Sequence, residues 1–275
     1  MNFAGKTAFV TGAAQGIGLG ICRALARRGA NVAMADIADA PLKAAETTLG
    51  RTGAKTMSLP LDVSDADAVE RAAAAVEAQF GKVHLLFNNA GVVAPPRQVS
   101  EFSLAEWNWL VGVNLYGAIH GIRAFLPLIR KHGEGGHIVN TASIAGLQVR
   151  EGRGTGCYAA TKFAVVALTE SLAHELAGSN IGASVLCPAA VDTKIYEAAR
   201  RRPARFGGPY EPPTPDDARA ALADGMKPDE VGERVLRAID DGELYILTHI
   251  ETKDWLLERH ARIIAAFDQI TRFEH

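Results

Sequence analysis

Short runs of consecutive apolar residues alternate along this chain with longer stretches of helical period, and glycine, proline, serine or aspartate marks most of the joints. The runs at 7–11, 31–35, 55–60, 83–87, 137–142, 181–187 and 244–247 predict strands. Between them the 3.6-residue period predicts helices. One follows the glycines at 12–18 and ends at Gly29. Asp39, with Pro41 in the first turn, caps a second that runs towards Thr52-Gly53. Ser64 caps a third, with Asp67 three residues on, and Gly81 ends it. A long helical pattern runs from Ser103 to His132-Gly133, another carries Tyr158 and stops near Gly178, Pro228 opens one to Asp240, and 251–273 reads as a terminal helix.

The pattern breaks over 189–226, where Arg200-Arg201-Arg202, Gly207-Gly208-Pro209 and Pro212-Pro213 leave only short helical pieces. A long insert of this kind is usually functional, which predicts a substrate loop or lid. Its three consecutive arginines read as a solvated face rather than an anion site.

Composition narrows the class. With 275 residues and 48% hydrophobic content the chain can bury a large core, and a single domain over 1–275 is expected. A net charge of −2, from 29 basic and 31 acidic residues, leaves no footprint for nucleic acid, so the expected partner is a small molecule. The N-terminus lacks the marks of a secretion signal, and no apolar run reaches the ~18 residues of a membrane span, which predicts a cytoplasmic protein with no membrane partner. Cys22, Cys157 and Cys187 are odd in number and widely spaced, arguing against a disulfide framework or a zinc site. The eight histidines form no ligand cluster in the sequence, and no metal is expected.

The candidate chemistry begins at Gly12-Ala13-Ala14-Gln15-Gly16-Ile17-Gly18, placed between a strand and a helix as a dinucleotide site requires. Gly12 would permit the tight turn, Gly16 would let backbone approach a pyrophosphate, and the helix N-terminus would supply N–H donors. A plain glycine-rich turn has the same pattern, so the next strand matters. Asp36 stands at its end and can accept hydrogen bonds from ribose hydroxyls while repelling a 2′-phosphate. No Lys or Arg occurs at 13–15 or directly after Asp36, which favours NAD over NADP. Asp62 is placed for an adenine-edge contact. Asn88-Asn89-Ala90-Gly91 follows the fourth strand, Asn114 interrupts an apolar helical stretch and implies a kink or a bound water, and Ser143 follows the fifth strand. Tyr158-Ala159-Ala160-Thr161-Lys162 sets a phenol and an ammonium one helical turn apart, where the positive charge favours a phenolate base.

With Thr11-Gly12-x-x-x-Gly16-x-Gly18, Asn88-Asn89-Ala90-Gly91, Asn114, Ser143 and Tyr158-x-x-x-Lys162 in order, the chain resembles the short-chain dehydrogenase/reductase family over nearly its whole length. The resemblance implies an α/β, doubly wound Rossmann fold of about seven parallel strands with helices on both faces. It implies a catalytic tetrad of Asn114, Ser143, Tyr158 and Lys162, in which Asn114 holds a water between Lys162 and solvent. It further implies cofactor contacts from Gln15, Ile17, Gly18, Val63, Asn89, Ala90, Gly91, Pro188, Val191 and Thr193, beside Gly12, Gly16, Asp36, Asp62, Tyr158 and Lys162. Assembly as a homodimer or homotetramer is a family expectation.

The run Ala198-Ala199-Arg200 to Gly207 and the strand Leu244-Tyr245-Ile246 are also similar to the Cα-dehydrogenases that oxidise the benzylic alcohol of lignin-derived aryl ethers. Two departures stand out. Ala189 follows Pro188 where the family commonly has glycine, and the fifteen positions from Ser143 to Tyr158 exceed the usual spacing, so 150–156 is expected to bulge. The expected activity is hydride transfer between a secondary alcohol, bulky and aromatic by the second resemblance, and NAD. An NADP-dependent carbonyl reductase and a non-catalytic NAD-binding sensor are the alternatives.

Overall fold

The protein, described here by a computed structural model covering residues 1–212, 220 and 222–270, is built on one parallel sheet. Its strands are β1 (Thr7–Thr11), β2 (Asn31–Asp36), β3 (Thr56–Pro60), β4 (Leu85–Asn88), β5 (Gly136–Thr141), β6 (Ile181–Cys187) and β7 (Tyr245–Leu247), in the spatial order 3-2-1-4-5-6-7. Every pairing is parallel. The order reverses between β1 and β4, so the crevice beyond their C-terminal ends is the topological switch point where α/β sheets bind ligands.

The helices are α1 (Gly16–Arg27), α2 (Asp39–Gly50), α3 (Ala66–Phe80), α4 (Leu104–Leu110), α5 (Gly117–Lys131), α6 (Gly156–Glu175), α7 (Pro228–Asp241) and α8 (Lys253–Phe267). Alternate residues of β1 go to opposite faces, which is why its run is apolar throughout. Ala8 and Val10 pack with Ile21 and Leu25 of α1 and with Val231 and Val235 of α7. Phe9 packs on the other side with Val76 of α3 and Ile129 of α5, and stacks on Phe125 at 4.2 Å between ring centroids. The α1–α7 crossing is glycine-tight: a Cβ on Gly20 would lie 2.1 Å from the Pro228 carbonyl oxygen, and one on Gly232 would lie 2.4 Å from that of Gly20.

Several boundaries differ from the sequence reading for local reasons. Ser64 does not cap α3; its backbone N–H and hydroxyl donate to Asp62 Oδ1 at 3.0 and 2.6 Å, and Asp65 caps the helix by accepting from the Ala68 N–H at 3.1 Å. Asp39 lies in the first turn of α2, behind an N-cap at Ala38. The long helix opened by Ser103 exists, with a capping box to Glu106, but winds as a π-helix over Val111–Tyr116. The terminal helix is described to Phe267; Phe273, the expected end, lies outside the described residues, as does Pro213 of the 189–226 insert. Among the described residues no helix is long and apolar enough to cross a membrane, and the three cysteines are free and buried.

One grouping was missed altogether. His84, His132 and Glu134 converge at the start of β4, with ligand atoms within 4.8 Å of one another. Their nitrogens are committed: His84 Nδ1 accepts the Thr7 N–H at 3.2 Å and Nε2 donates to Glu134, while His132 Nε2 donates to the Val83 carbonyl and Nδ1 accepts the Glu134 N–H. Glu134 also binds Lys6 and Lys82, and these cationic partners hold its carboxyl far below the usual range. The cluster is a hydrogen-bonded clasp rather than an open ligand set.

Candidate active site

A cavity of about 600 Å³ opens at the switch point, with one end at the glycine turn after β1 and the other under 195–201. Gly12 and Gly16 carry positive φ of 66° and 56°, which side chains resist. A Cβ on Gly12 would lie 2.9 Å from Asn89 Nδ2, and one on Gly16 would lie 3.1 Å from Thr193 Cγ2. Gln15 is the N-cap of α1 and makes no side-chain cap, and the first turn has no acidic residue, so this N-terminus keeps its donors and positive dipole end for an anion.

The remaining expected cofactor residues fall into three groups. Gln15, Ile17, Asp36, Val63, Ala90, Gly91, Pro188, Val191 and Thr193 line the cavity together with Gly12, Gly16 and Asn89. Asp36 holds its position by accepting the Ala14 and Ala38 N–H groups at 3.1 and 2.9 Å. Asp62 lines the cavity too, but its carboxylate is already engaged by Ser64 and by Arg205 Nη2 at 2.6 Å. Gly18 does not line it. A Cβ there would lie 2.2 Å from the Gly12 carbonyl oxygen, so Gly18 shapes the turn by letting α1 pack against it from behind.

The turn is held shut by Thr11, which the sequence motif includes without giving it a role. The Thr11 hydroxyl accepts from the N–H groups of Asn89 and Ala90 at 2.9 and 3.0 Å, and Asn89 Nδ2 donates to the Thr11 carbonyl at 3.0 Å. The ends of β1 and β4 are thereby tied together across the crevice.

At the other side, β5 delivers Ser143 and α6 delivers Tyr158 and Lys162. Ser143 is fixed as the cap of a short 3₁₀ turn, Ile144–Gly146, accepting the Ala145 N–H at 3.1 Å. Ser143 neighbours Tyr158 on the cavity wall; burial pushes the phenol up to about 12, against the lowering effect of the serine. Lys162 donates to the Thr141 carbonyl at 2.8 Å, and burial lowers its ammonium to about 8. Its nitrogen lies 5.6 Å from the Tyr158 ring centroid. The expected depression of the phenol by Lys162 is therefore outweighed here by desolvation of both groups.

Asn114 stands behind the cavity wall in the π-helix. Its Oδ1 accepts the Val92 N–H at 2.8 Å, and its Nδ2 donates to the Val92 carbonyl and to Thr161 Oγ1, both at 3.0 Å. The buried amide is thus satisfied by protein groups, and the kink predicted from it takes the form of π winding. A Cβ on Gly91 would come within 3.5 Å of both Lys162 Nζ and Asn114 Oδ1, so these groups share a common glycine-lined wall.

Both departures resolve locally. Among the described residues only glycines have positive φ, so Ala189 is unstrained, and its N–H donates to Thr248 Oγ1 at 3.3 Å. The long 143–158 connection is absorbed by Gly152 and Gly154, at φ of 71° and 59°, and is pinned where the Arg97 N–H meets the Gly154 carbonyl at 2.9 Å.

The described part of the insert includes the 3₁₀ segments Ile195–Arg201 and Ala204–Phe206, and a parallel bridge between Val191 and Met226 joins its two ends. Three arginines secure it. Arg200 pairs with Glu197 and Glu211, Arg202 lies over the Trp109 and Tyr210 rings at 5.3 and 5.7 Å, and Arg205 reaches Asp62 and Ser64. Trp109, Ala198, Arg201 and Arg153 all line the cavity, and none was singled out from the sequence as a site residue. The apolar spacing of Trp109 read as core; only topology shows that one edge of it faces the cleft.

Residues 6–204 match the family model described as short chain dehydrogenase. A CLA biosynthesis dehydrogenase/reductase from Lactiplantibacillus plantarum is 32% identical over 273 residues, covering 96% of this chain and 94% of the relative. A C alpha-dehydrogenase from Sphingobium sp. strain SYK-6 is also 32% identical, over 269 residues, with 96% and 86% covered. The crystal structure of a short chain dehydrogenase/reductase from Burkholderia phymatum in complex with NAD superimposes with a TM-score of 0.91 at 38% identity, covering 97% of this chain and 96% of that one.

Proposed function

The chain belongs to the short chain dehydrogenase family, and from that premise we propose that it is an NAD-dependent enzyme interconverting a bulky secondary alcohol, aromatic or benzylic in type, with its ketone. The observation that carries this reading is the convergence of Tyr158, Ser143, Lys162 and the glycine turn on one cavity.

The residues present fit a dinucleotide. Gly12 and Gly16 leave backbone exposed where side chains would collide, α1 offers an uncapped N-terminus, and Asp36 is held at the end of β2 for a ribose. A 2′-phosphate would meet the Asp36 carboxylate, which supports NAD over NADP. The nicotinamide, when bound, accepts hydride from the carbinol carbon or returns it to the carbonyl carbon.

The chain's own groups handle the proton. Tyr158, neutral near pH 7 because burial raises its phenol to about 12, donates a proton to the oxygen of a ketone and recovers one from an alcohol after ionising. Ser143 shares the substrate oxygen and steadies the charge that develops there. Lys162, anchored on Thr141, orients the nicotinamide ribose and supplies positive charge at the base of the site; Asn114 positions the Val92 backbone, in the loop after β4, and Thr161 beside it. The segment 189–226 acts as the substrate lid of a single domain. Apolar and aromatic lining by Val92, Val93, Pro95, Trp109, Val113 and Tyr196 supports a bulky aromatic substrate, as does likeness to a C alpha-dehydrogenase.

We place the enzyme in the cytoplasm as a homodimer or homotetramer; the exposed Leu257, Ile264 and Phe267 of α8 support self-association. The deciding experiment follows NADH formation over aromatic, alicyclic, steroid and aliphatic secondary alcohols. Turnover led by benzylic alcohols is expected, whereas preference for small aliphatic alcohols would defeat the substrate assignment.

A further inference from the structure

Among the arginines carried by 195–206, one is left over. Arg200, Arg202 and Arg205 are committed to Glu197 and Glu211, to the Trp109 and Tyr210 rings, and to Asp62. Arg201 is half-buried, lines the cavity, and has no ion pair, hydrogen bond or ring contact among the described residues. Arg153, on the loop between Ser143 and Tyr158, lines the same cavity from another element and is likewise without a partner among the described residues. A guanidinium half removed from water beside apolar walls is incompletely solvated, and the partner it matches best is a planar, bidentate carboxylate.

Position assigns the two arginines to the substrate end. Thr193 packs against Gly16, so Lys194 beside it belongs to the pyrophosphate end. The 3₁₀ helix Ile195–Arg201 then carries the chain about 12 Å further at ~2 Å per residue. Its end adjoins Arg202, which lies over Trp109. The Arg153 loop is fixed to the 95–97 segment, since the Arg97 N–H donates to the Gly154 carbonyl and Pro95 and Pro96 line the cavity.

Building on the proposed dehydrogenase reading, we infer that the substrate's apolar body carries a carboxylate remote from the carbinol, and that Arg201, assisted by Arg153, receives it. Arg201 takes the larger share because Arg153 is exposed and solvent screens its charge. The site thus selects hydroxy and keto acids over their neutral counterparts.

The test uses the full chain saturated with NAD, which cannot reduce a ketone, and three ketone probes, 4-acetylbenzoate, 3-(4-acetylphenyl)propanoate and 6-(4-acetylphenyl)hexanoate, each compared with its methyl ester by calorimetry. At least one acid is expected to bind ~10-fold or more tightly than its ester. Arg201→Gln should erase most of that preference, Arg153→Gln a smaller part, and Arg201→Lys should retain some of it, with NAD affinity unchanged throughout. Esters binding as well as acids across the series would overturn the assignment. So would Arg201→Gln weakening NAD binding while the acid preference stays, since the guanidinium would then serve the cofactor. If NAD itself fails to bind, the dinucleotide reading falls instead, and the same acid–ester comparison on the protein alone still decides the role of the arginines.

Discussion

Lys162 gives its ammonium to the Thr141 carbonyl at 2.8 Å and stands 5.6 Å from the centre of the Tyr158 ring. The pair one helical turn apart on α6 is therefore joined through the end of β5 rather than by a direct bond. Burial acts on the two in opposite senses, holding the phenol protonated and making the ammonium a weaker base. In the proposed mechanism, proton transfer rests on the phenol and the neighbouring serine, with the lysine fixed to the sheet behind them.

Tyr158→Phe removes the transferable proton and little else. Turnover should fall by roughly 10²–10⁴-fold, the usual reach of general acid–base catalysis. NADH binding and the thermal midpoint should stay close to those of the parent protein. Steady-state rates with a benzylic alcohol, read beside cofactor titration, check this; undiminished turnover would remove Tyr158 from the mechanism.

The same burial predicts the pH profile. A phenol held up at about 12 serves ketone reduction as it stands but must ionise before alcohol oxidation. Oxidation should therefore keep rising as pH increases from about 6 to about 10, while reduction should not rise with it. Lys162→Met removes the nearby positive charge and should move the oxidative rise to still higher pH. The two directions measured over one buffer series provide the comparison.

Gly18→Ala tests the packing role given to the third glycine. Its Cβ would meet the Gly12 carbonyl oxygen at 2.2 Å and Asn89 Nδ2 at 2.6 Å, and the first of these neighbours is backbone that cannot swing away. Overpacking of this kind costs about 1–3 kcal/mol or more, and here it also displaces the turn. Urea denaturation should show that loss, and NADH affinity should drop although Gly18 does not line the cavity.

The strands, the glycine turn, Asp36 and the Tyr158–Lys162 spacing were legible because each is encoded locally, in a run, a period or a residue type with special backbone freedom. Residues whose roles depend on what lies across the crevice were not. Thr11 stands in the glycine motif, but its role in tying β1 to β4 shows only when β4 is placed beside β1. His84 and His132 are far apart in sequence, and only the folding of α5 back along the sheet brings them together at Glu134. The Ser64 cap failed because Asp62 captured its hydroxyl, a competition between neighbouring acceptors that helix-start patterns do not resolve. Arg201 read as solvated for a similar reason: three consecutive arginines look alike until their separate partners are known.

Cofactor choice should follow the Asp36 carboxylate. The double variant Asp36→Ser with Ile37→Arg removes a negative charge at the ribose and adds a cation at a neighbouring exposed position. The preference between NAD and NADP, read as the ratio of kcat/KM values, should shift by at least ~10-fold towards NADP. A modest loss of stability should accompany it, because the Ala14 N–H loses its acceptor.

Acid sensitivity should originate far from the cleft, at His137. This side chain is buried in β5, and a Cβ on Gly182 would lie only 2.5 Å from its Nδ1, which leaves that nitrogen little room for a proton and a partner. Its Nε2 donates to Ser184 Oγ at 2.8 Å, because the serine hydroxyl gives its own proton to the Glu243 carbonyl at 2.6 Å. The imidazole is thus held neutral, and burial first, with the N-terminal charge second, lowers its pKa from 6.5 to about 4. Above pH 6.5 neither state binds a proton there. Between 6.5 and about 4 the unfolded chain takes one up and the folded protein does not, so stability falls as pH falls. The full loss is ~3 kcal/mol, reached below about pH 4. His84, also lowered mainly by burial, acts in the same sense. His137→Gln should be less stable than the parent protein at neutral pH yet flatter across this window, a difference that urea titrations at stepped pH will show; parallel slopes for the two proteins would place the acid sensitivity elsewhere.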